Sequence, residues 1–389
     1  MKYTKRSTKT RKNRTCRHRQ KGGAKKFTGL TYISAGTEGV IYKTADGRAL
    51  KIQKSGRINE KEITVQRKLT ELDLPYFPKL YEKEICLSTV RFDTVHKQSL
   101  TEFCDDVGPY QYDYVIMELI NGKEYPQYLL HKLMSMGAWD RKTLSDAEVQ
   151  PIAEEYINIL CKLAFAFYCA DKKMFFRHND FDYKNSLIKD DGTPMIIDFG
   201  AASFFGSDNF NSDIPSGKDM LGFIRSTLGG SNLRSAIKKI LMTPDNYRNG
   251  NTMNYIKPEK REKIDEYVTR YSSITKIIRE SPLLRDIWRI SQNRNKTILD
   301  YIKQLEAIKT QSAAGEFNHE RSFRALGIPE DEIQKTKNIV SPVLPAPVAA
   351  AANLNSKVRQ LVNMGIPEAN ARAALAASRG SVGRAFNFL

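Results

Sequence analysis

Residues 178–200 read HNDFDYKNSLIKDDGTPMIIDFG and combine acidic and amide side chains with two apolar runs. The two runs predict two short strands. Asp180 and Asn185 precede the first strand, and Asp198 directly follows the second. A carboxylate can orient a hydroxyl group and accept its proton, while a second carboxylate and an amide oxygen suit Mg²⁺. The stretch therefore predicts a site for acid–base and magnesium chemistry.

The order and spacing of these residues resemble the catalytic segments of the protein-kinase superfamily. The first segment fits His-x-Asp-x-x-x-x-Asn, and Asp-Phe-Gly follows eighteen residues after Asp180. The resemblance implies that ATP donates a phosphoryl group and that Asp180 is the catalytic base. It also implies that Asn185 and Asp198 hold Mg²⁺, with Asn185 counted among the catalytic residues.

Three upstream segments are similar to other parts of the kinase signature. Residues 34–41 (SAGTEGVI) fit the Gly-rich loop that covers phosphates, with Ser in the first Gly position; an ordinary hairpin turn is the alternative interpretation. Residues 49–52 (ALKI) supply the lysine, and residues 114–122 (YVIMELING) resemble the inter-lobe hinge. The resemblance assigns nucleotide binding to Ser34, Gly36, Gly39, Ile41, Lys51, Glu62, Met117 and Glu118, with Lys51 also catalytic and Glu60 the second choice to Glu62.

The chain also departs from the usual kinase pattern. Asn179 stands where most kinases have Arg, so activation through a phosphorylated loop that pairs with this Arg is not expected. Asp182 replaces a lysine common in Ser/Thr kinases, and no Ala-Pro-Glu follows. Asp219 is the candidate for the buried carboxylate that supports the catalytic loop. These departures are similar to those of divergent kinases, including Ser/Thr protein kinases of large DNA viruses.

The rest of the chain changes from strand-like to helical patterns. Alternating apolar residues from 30 to 52 predict a β-meander. Further predicted elements are a helix at 60–72, strands at 83–91, 112–119, 186–189 and 195–197, and mostly helices beyond Gly122. This order predicts an α+β fold. The resemblance implies a bilobal protein-kinase-like fold, with a β-rich N-terminal lobe and a helical C-terminal lobe.

The last residues have a helical pattern of their own. Small and apolar residues predict three short helices within 354–389, which resemble a ubiquitin-associated (UBA) domain. The resemblance implies an apolar patch that binds ubiquitin, formed by Met364, Gly365, Ile366 and Leu389. A generic three-helix bundle that covers the larger domain is the alternative interpretation.

The chain begins with a strongly basic segment. Residues 1–26 carry twelve Lys and Arg and no acidic residue, which accounts for most of the formal net charge of +18. Such a segment is predicted to be disordered until bound, and it suits nucleic acid or another anionic surface. A merely solvated tail is the alternative. The predicted organisation is a basic disordered tail (1–26), a kinase-like domain (27–335), a Pro/Ala-rich linker (336–353) and a UBA-like domain (354–389).

Cysteine usage and hydropathy indicate the compartment. The five cysteines are scattered without metal-ligand spacing, which predicts unpaired thiols in a reducing, intracellular setting. No window reaches the ~18 apolar residues that a membrane span needs, so no membrane association is expected. The predicted location is the cytoplasm or nucleus, in a host cell or virion if the protein is viral.

Three functions fit these observations. The leading prediction is an ATP-dependent, Ser/Thr-directed protein kinase, with the C-terminal segment recruiting ubiquitin or ubiquitylated proteins. The second is a pseudokinase scaffold whose activity is ubiquitin binding, although no catalytic residue of the motif is missing. The third is a small-molecule phosphotransferase, because such enzymes share His-x-Asp-x-x-x-x-Asn and often lack the loop lysine.

Overall fold

A computed structural model describes most of the central chain. The described residues are 26–35, 39–54, 60–91, 99–104, 108–137, 144–204, 207, 211, 213–229, 258–312, 316–337, 339, 357–358, 361–362 and 366–377. They form two compact units. One takes in the described residues up to 57 and those of 82–116, and the other takes in those of 58–81 and those from 117 onward.

The first unit is an antiparallel β-sheet. Its strands are β1 (Phe27–Ala35), β2 (Val40–Lys43), β3 (Ala49–Lys54), β4 (Leu80–Ser88), β5 (Leu100–Phe103) and β6 (Tyr110–Met117). They lie in the order β4-β6-β3-β2-β1-β5. The predicted β-meander is confirmed, because β1 pairs with β2 and β2 pairs with β3, both antiparallel. Between β1 and β2, a Cβ on Gly39 would lie 2.5 Å from the carbonyl oxygen of Ile52, so this close approach requires glycine.

A disulfide bond closes this sheet on itself. Cys86 lies on β4, at one edge of the sheet, and Cys104 follows β5, at the other edge. Their Cα atoms are 5.3 Å apart, so the sheet must curl to bring its two edges together. The prediction of unpaired cysteines is therefore wrong for this pair. Eighteen residues separate the two positions, and nothing in their local sequence reveals a contact that the curling of the sheet creates.

The curled sheet encloses its own core. The buried side chains are Phe27, Leu30, Val40, Tyr42, Leu50, Ile52, Phe103, Tyr112, Tyr114 and Ile116. The rings of Phe27 and Tyr114 meet edge to face, with centroids 5.0 Å apart. Strand β2 alternates buried with more exposed residues, whereas β6 is buried continuously from Tyr112 to Ile116, and both are rich in the β-branched and aromatic residues that favour strands.

The second unit is mainly helical. Its helices are α1 (Glu60–Thr70), α2 (Tyr125–Ser135), α3 (Asp146–Met174), α4 (Lys218–Leu228), α5 (Pro258–Glu280), α6 (Pro282–Ile290), α7 (Ile298–Thr310), α8 (His319–Ala325), α9 (Glu330–Lys337) and α10 (Glu368–Ala377). A small antiparallel sheet is formed by β7 (Lys123–Glu124), β8 (Ser186–Ile188) and β9 (Pro194–Ile196), in the order β7-β8-β9. The α+β class predicted from the sequence is confirmed.

Helix α3 lies at the centre of the helical unit. Ser145 and Glu148 form a capping box at its start, in which the Glu148 carboxylate accepts a hydrogen bond from the N–H of Ser145 at 2.9 Å. Residues 163–170 of this helix are buried on all sides, as expected for their apolar sequence. The helix ends at Met174, and the left-handed backbone of the next residue, Phe175 (φ 54°), turns the chain toward the candidate site.

Helix α1 and the loop that follows it pack into the same core. Val65 and Leu69 are buried there, together with Tyr76 and Phe77 from the loop. Helix α9 contributes Ile333 to this core. None of the helices in the described ranges has a stretch both long and apolar enough to cross a membrane.

The C-terminal segment has a small core of its own. Val358, Leu361, Ala371, Ala374 and Leu375 are buried against one another, and the partly buried Ile366 packs on them. The second of the three predicted short helices is found as α10. The prediction for the third concerns residues 380–389, which lie outside the described residues.

Candidate functional site

The candidate site is built on the loop between α3 and β8. Asp219, on the first turn of α4, supports this loop through hydrogen bonds. Its side chain is buried, and its two carboxylate oxygens accept hydrogen bonds from the backbone N–H groups of His178 (2.8 Å) and Asn179 (3.0 Å). The placement predicted for Asp219 is confirmed. Burial raises the pKa of the Asp219 carboxyl, while His178 and the two N–H donors oppose this increase.

Helix α4 approaches the loop closely beside this carboxylate. Gly222 lies one turn after Asp219, and a Cβ at this position would run into the carbonyl oxygen of Phe181. One turn later, the hydroxyl of Ser226 accepts a hydrogen bond from the backbone N–H of Tyr183 at 3.0 Å. The missing side chain of Gly222 and the hydroxyl of Ser226 therefore allow the loop to pack closely on α4.

His178 joins the loop to the end of β9. Its Nε2 lies 2.9 Å from the carbonyl oxygen of Ile197, and because a carbonyl can only accept, Nε2 donates. The imidazole is fully buried among the rings of Phe176, Phe181 and Phe199. This histidine is therefore a structural part of the loop, and it fixes the backbone immediately before Asp198.

A short 3-10 turn, Tyr183–Asn185, orients the asparagine of the motif. Asp182 caps the turn by accepting a hydrogen bond from the backbone N–H of Lys184 at 2.7 Å. The side-chain amide nitrogen of Asn185 then donates to the backbone oxygen of Asp180 at 2.6 Å, with the Asp180 carboxylate oxygen 3.4 Å away. Asp182 thus has a structural role at the position that aligns with the loop lysine of Ser/Thr kinases.

Asp198 lies beside Asn185 because of the pairing of β8 with β9. Ser186 is paired with Ile196, and the N–H of Ile197 donates to the carbonyl oxygen of Asn185 at 2.9 Å. Asp198 is exposed and has a left-handed backbone (φ 63°), which is uncommon outside glycine and recurs at functional sites. The adjacent Phe199 is buried against Phe77, with ring centroids 6.5 Å apart.

This arrangement can be tested for its fit to Mg²⁺. In the described part of the chain, no group of three or more His, Cys, Asp or Glu side chains is placed to hold a metal ion. Mg²⁺ needs fewer protein ligands, however, since it is usually bound by one or two carboxylates together with phosphate and water oxygens. The amide nitrogen of Asn185 faces Asp180, so its amide oxygen points the other way. That oxygen and the exposed Asp198 carboxylate are the hard ligands Mg²⁺ prefers, so the residues fit the ion.

The residues assigned to nucleotide binding fall in both units. In the sheet, Ser34 is exposed near the end of β1, and Ile41 on β2 is paired in register with Lys51 on β3. Gly39 packs against Ile52, as described above, and Gly36 lies outside the described residues.

The other assigned residues lie in the helical unit. Glu62 is buried in the first turn of α1, and the partly buried Met117 ends β6. Glu118 is held by Lys79: its N–H donates to the Lys79 carbonyl at 2.8 Å, and its carboxylate accepts from the Lys79 N–H at 3.2 Å. The structure thus gives the local contacts of these residues, and their roles in nucleotide binding stay predictions.

Of the residues assigned to ubiquitin, the structure describes Ile366. Its N–H donates to the carbonyl of Leu361 at 3.2 Å, and its side chain packs on the small C-terminal core. Met364, Gly365 and Leu389 lie outside the described residues, as do residues 1–25 of the basic segment.

Sequence reasoning missed one set of residues at this site. Arg177 and Ser203 form an antiparallel bridge, with N···O distances of 2.8 and 2.7 Å in the two directions. The side chain of Asn179 also donates to this segment. Asn179 stands where the kinase motif usually has Arg, and this departure could have drawn attention to the position. No local pattern in the sequence marks Ser203.

Comparison with known proteins adds no family to these observations. Neither family models nor curated protein sequences match this chain.

Proposed function

We propose that this chain is an ATP-dependent, Mg²⁺-requiring protein kinase, directed to serine or threonine hydroxyls, with a bilobal protein-kinase-like fold. One observation carries the proposal. The loop bearing Asp180 and Asn185 is hydrogen-bonded to the buried Asp219, and β-pairing holds it next to Asp198. Three residue types that phosphotransfer needs are therefore held together on a rigid support.

The residues would divide the reaction between them. Asp180 is exposed and close to the Asn185 amide, so it can orient an acceptor hydroxyl and take its proton. Asn185 and Asp198 would hold Mg²⁺, and Lys51 would neutralise the phosphates of ATP. When bound, Mg²⁺–ATP supplies the phosphoryl group and neutralises its charge. Ser34, Gly36, Gly39, Ile41, Glu62, Met117 and Glu118 are proposed to line or support the nucleotide site.

Turnover of ATP with a generic protein substrate tests this proposal. We expect Asp180→Asn to lower kcat by about 10²–10⁴, the usual contribution of a general base. Asp198→Asn should abolish the activity at every Mg²⁺ concentration tested. Asp286→Asn, which changes an exposed carboxylate on α6, is the matched control and should leave the rate unchanged.

Different outcomes separate the alternatives. Equal rates in wild type and Asp180→Asn would overturn the kinase proposal. Turnover with small alcohols but with no protein would indicate a small-molecule phosphotransferase. Absence of any turnover, combined with ubiquitin binding, would indicate a pseudokinase scaffold.

We also propose that residues 354–389 bind ubiquitin or ubiquitylated proteins. The small separate core around Leu361 and Leu375 supports a self-contained module. Titration of isotope-labelled ubiquitin with the full chain should shift a contiguous set of ubiquitin resonances, and Met364→Ala should reduce these shifts. Unchanged ubiquitin spectra at saturating protein would reject this part of the proposal.

The basic segment is proposed to bind nucleic acid or another anionic surface. Its twelve Lys and Arg residues would make binding strongly salt-dependent. A salt titration should show steep loss of nucleic-acid affinity for the full chain, and deletion of residues 1–25 should remove that dependence. An unchanged salt dependence after deletion would reject a role for the segment.

A further inference from the structure

Asn179 makes an unusual set of contacts at the centre of the candidate site. Its backbone is left-handed (φ 69°), and its N–H donates to Asp219. Its side-chain amide nitrogen donates to the carbonyl oxygen of Ala201 at 3.1 Å and to the hydroxyl of Ser203 at 2.9 Å. Because the Ala201 carbonyl can only accept, the nitrogen end of the amide must face this segment. Both amide hydrogens therefore have good acceptors.

Neighbouring contacts bind the same segment to the loop. Ser203 is fully buried and exchanges two backbone hydrogen bonds with Arg177. The buried guanidinium of Arg177 is paired with Asp171, and its Nε donates to the carbonyl of Ile214 at 3.2 Å. The stretch that begins at Asp198 is thus held at residues 201–203 and again at residue 214.

These contacts do not require a charged group on the segment. A phosphorylated residue orders a segment by pairing with a guanidinium or ammonium group. Here the Arg177 guanidinium is already paired within the unit, and the side chain at position 179 is a neutral amide with both hydrogens donated. Added phosphate would therefore gain no partner at these two residues.

We propose that Asn179 and Ser203 are positioning residues that hold the stretch after Asp198 on the catalytic loop through uncharged hydrogen bonds. The inference rests on the proposed kinase function and adds two residues to its site. Asn179 acts through the backbone of residues 201–203, which follows directly on Asp198 and Phe199.

Asn179→Gly is the sharpest test variant. Glycine adopts the left-handed backbone readily, so the N–H to Asp219 is retained and only the side-chain amide is removed. Asn293→Gly, in an exposed turn after α6, is the matched control. Ser203→Ala removes the other side of the contact, and a double variant shows whether the two act together.

The measurements separate positioning from general stability. In Asn179→Gly we expect hydrogen exchange at the Ser203 amide at least tenfold faster, kcat ten- to a hundredfold lower, and KM for ATP within about twofold of wild type. Ser203→Ala should give a smaller change in the same direction, and the double variant should add little to Asn179→Gly. Asn293→Gly should match wild type in each measurement.

Two results would overturn the proposal. One is a wild-type kcat in Asn179→Gly, and the other is unchanged hydrogen exchange at the Ser203 amide in that variant. A wild type with no turnover would instead contradict the kinase proposal, and the exchange measurement would still report whether Asn179 holds the segment.

Discussion

At the scale of single residues, the candidate site depends on a carboxylate that would not touch substrate. Asp219 accepts hydrogen bonds from two successive N–H groups of the loop, and no other acceptor of the described residues replaces it. A buried N–H without a partner is unfavourable, so the loop conformation and this side chain stabilise each other. The same carboxylate orients the backbone of Asn179 and hence the direction of the following Asp180.

Replacing this carboxylate should therefore affect stability and activity together. Asp219→Asn keeps the size of the side chain but leaves one loop N–H facing an amide donor. We expect the free energy of unfolding to fall by about 3 kcal/mol, the upper range for a hydrogen bond to a charged group. Urea denaturation measures the change, with Asp213→Asn as the exposed control. A variant as stable as wild type would show that the two hydrogen bonds contribute little.

A second buried carboxylate lies far from the loop. Glu332 on α9 accepts a hydrogen bond from the hydroxyl of Tyr76 at 2.5 Å. Burial raises the pKa of this carboxyl, the Tyr76 hydrogen bond opposes the increase, Asp331 adds to it, and Lys162 and Lys335 oppose it. The backbone of Tyr76 also accepts from Ile196 at 2.8 Å, so this tyrosine joins α9 to β9.

The raised pKa of Glu332 makes stability depend on pH. Above the ordinary carboxyl pKa, the folded chain retains a proton that the unfolded chain has lost, so this group's contribution to stability decreases as pH rises through the folded pKa. Glu332→Gln keeps an acceptor for Tyr76 but cannot titrate. We expect the variant to gain stability relative to wild type between pH 4 and pH 8, measured as urea midpoints across a pH series. Parallel pH curves for the two proteins would contradict this.

At the scale of elements, the disulfide acts on the sheet as a whole. Strands β4 and β5 lie at opposite edges in the hydrogen-bonding order, yet Cys86 and Cys104 join them. The crosslink closes a loop with a sequence separation of 18 residues. Closing such a loop lowers the conformational entropy of the unfolded chain, and therefore stabilises the curled form of the sheet.

Removing the crosslink should loosen the sheet. For a loop of this length, we expect reduction to lower the free energy of unfolding by about 3 kcal/mol. Urea denaturation with and without a thiol reductant measures the effect, and the Cys86→Ala/Cys104→Ala double variant should be insensitive to the reductant. Thiol titration of the unreduced, unfolded wild type should find two fewer reactive thiols than after reduction. An equal count would contradict the bond.

At the scale of the whole molecule, the described residues form separate hydrophobic cores. One lies inside the curled sheet, one joins the helices from α1 to α9, and a small one lies in the C-terminal segment. Helix α9 belongs to the large core through Ile333 and the Tyr76–Glu332 contact, whereas α10 belongs to the small one.

Shortening the chain at its C-terminal end should show that α9 belongs to the large core and α10 does not. A chain ending at residue 339 keeps α9, so the unfolding midpoint of the helical unit should match that of the full protein. A chain ending at residue 329 loses Ile333 and the partner of Tyr76, and we expect about 3 kcal/mol lower stability from lost burial and hydrogen bonding. Thermal unfolding of the three proteins makes the comparison. Equal midpoints for the two truncated chains would show that α9 is dispensable.

Much of this fold follows from local sequence. Alternating apolar residues predicted the β-meander of β1 to β3, and helical periodicity predicted α1, the buried half of α3 and α10. The spacing of Asp180, Asn185 and Asp198 around two short strands predicted that these residues lie near one another, which the pairing of β8 with β9 explains. These features need only neighbours close in the chain, and local periodicity encodes such neighbours directly.

Other features were decided by the tertiary structure. Local sequence indicated the residues that carry the candidate chemistry and most of the strands and helices. It missed β5, which lies between the strands predicted at 83–91 and 112–119. Only the folded chain decided that Cys86 meets Cys104 and that Asn179 donates to Ala201 and Ser203. Contacts of this kind join residues that are distant in sequence. They depend on how a sheet curls and on how closely a helix approaches a loop, and no periodic pattern of side chains specifies either property.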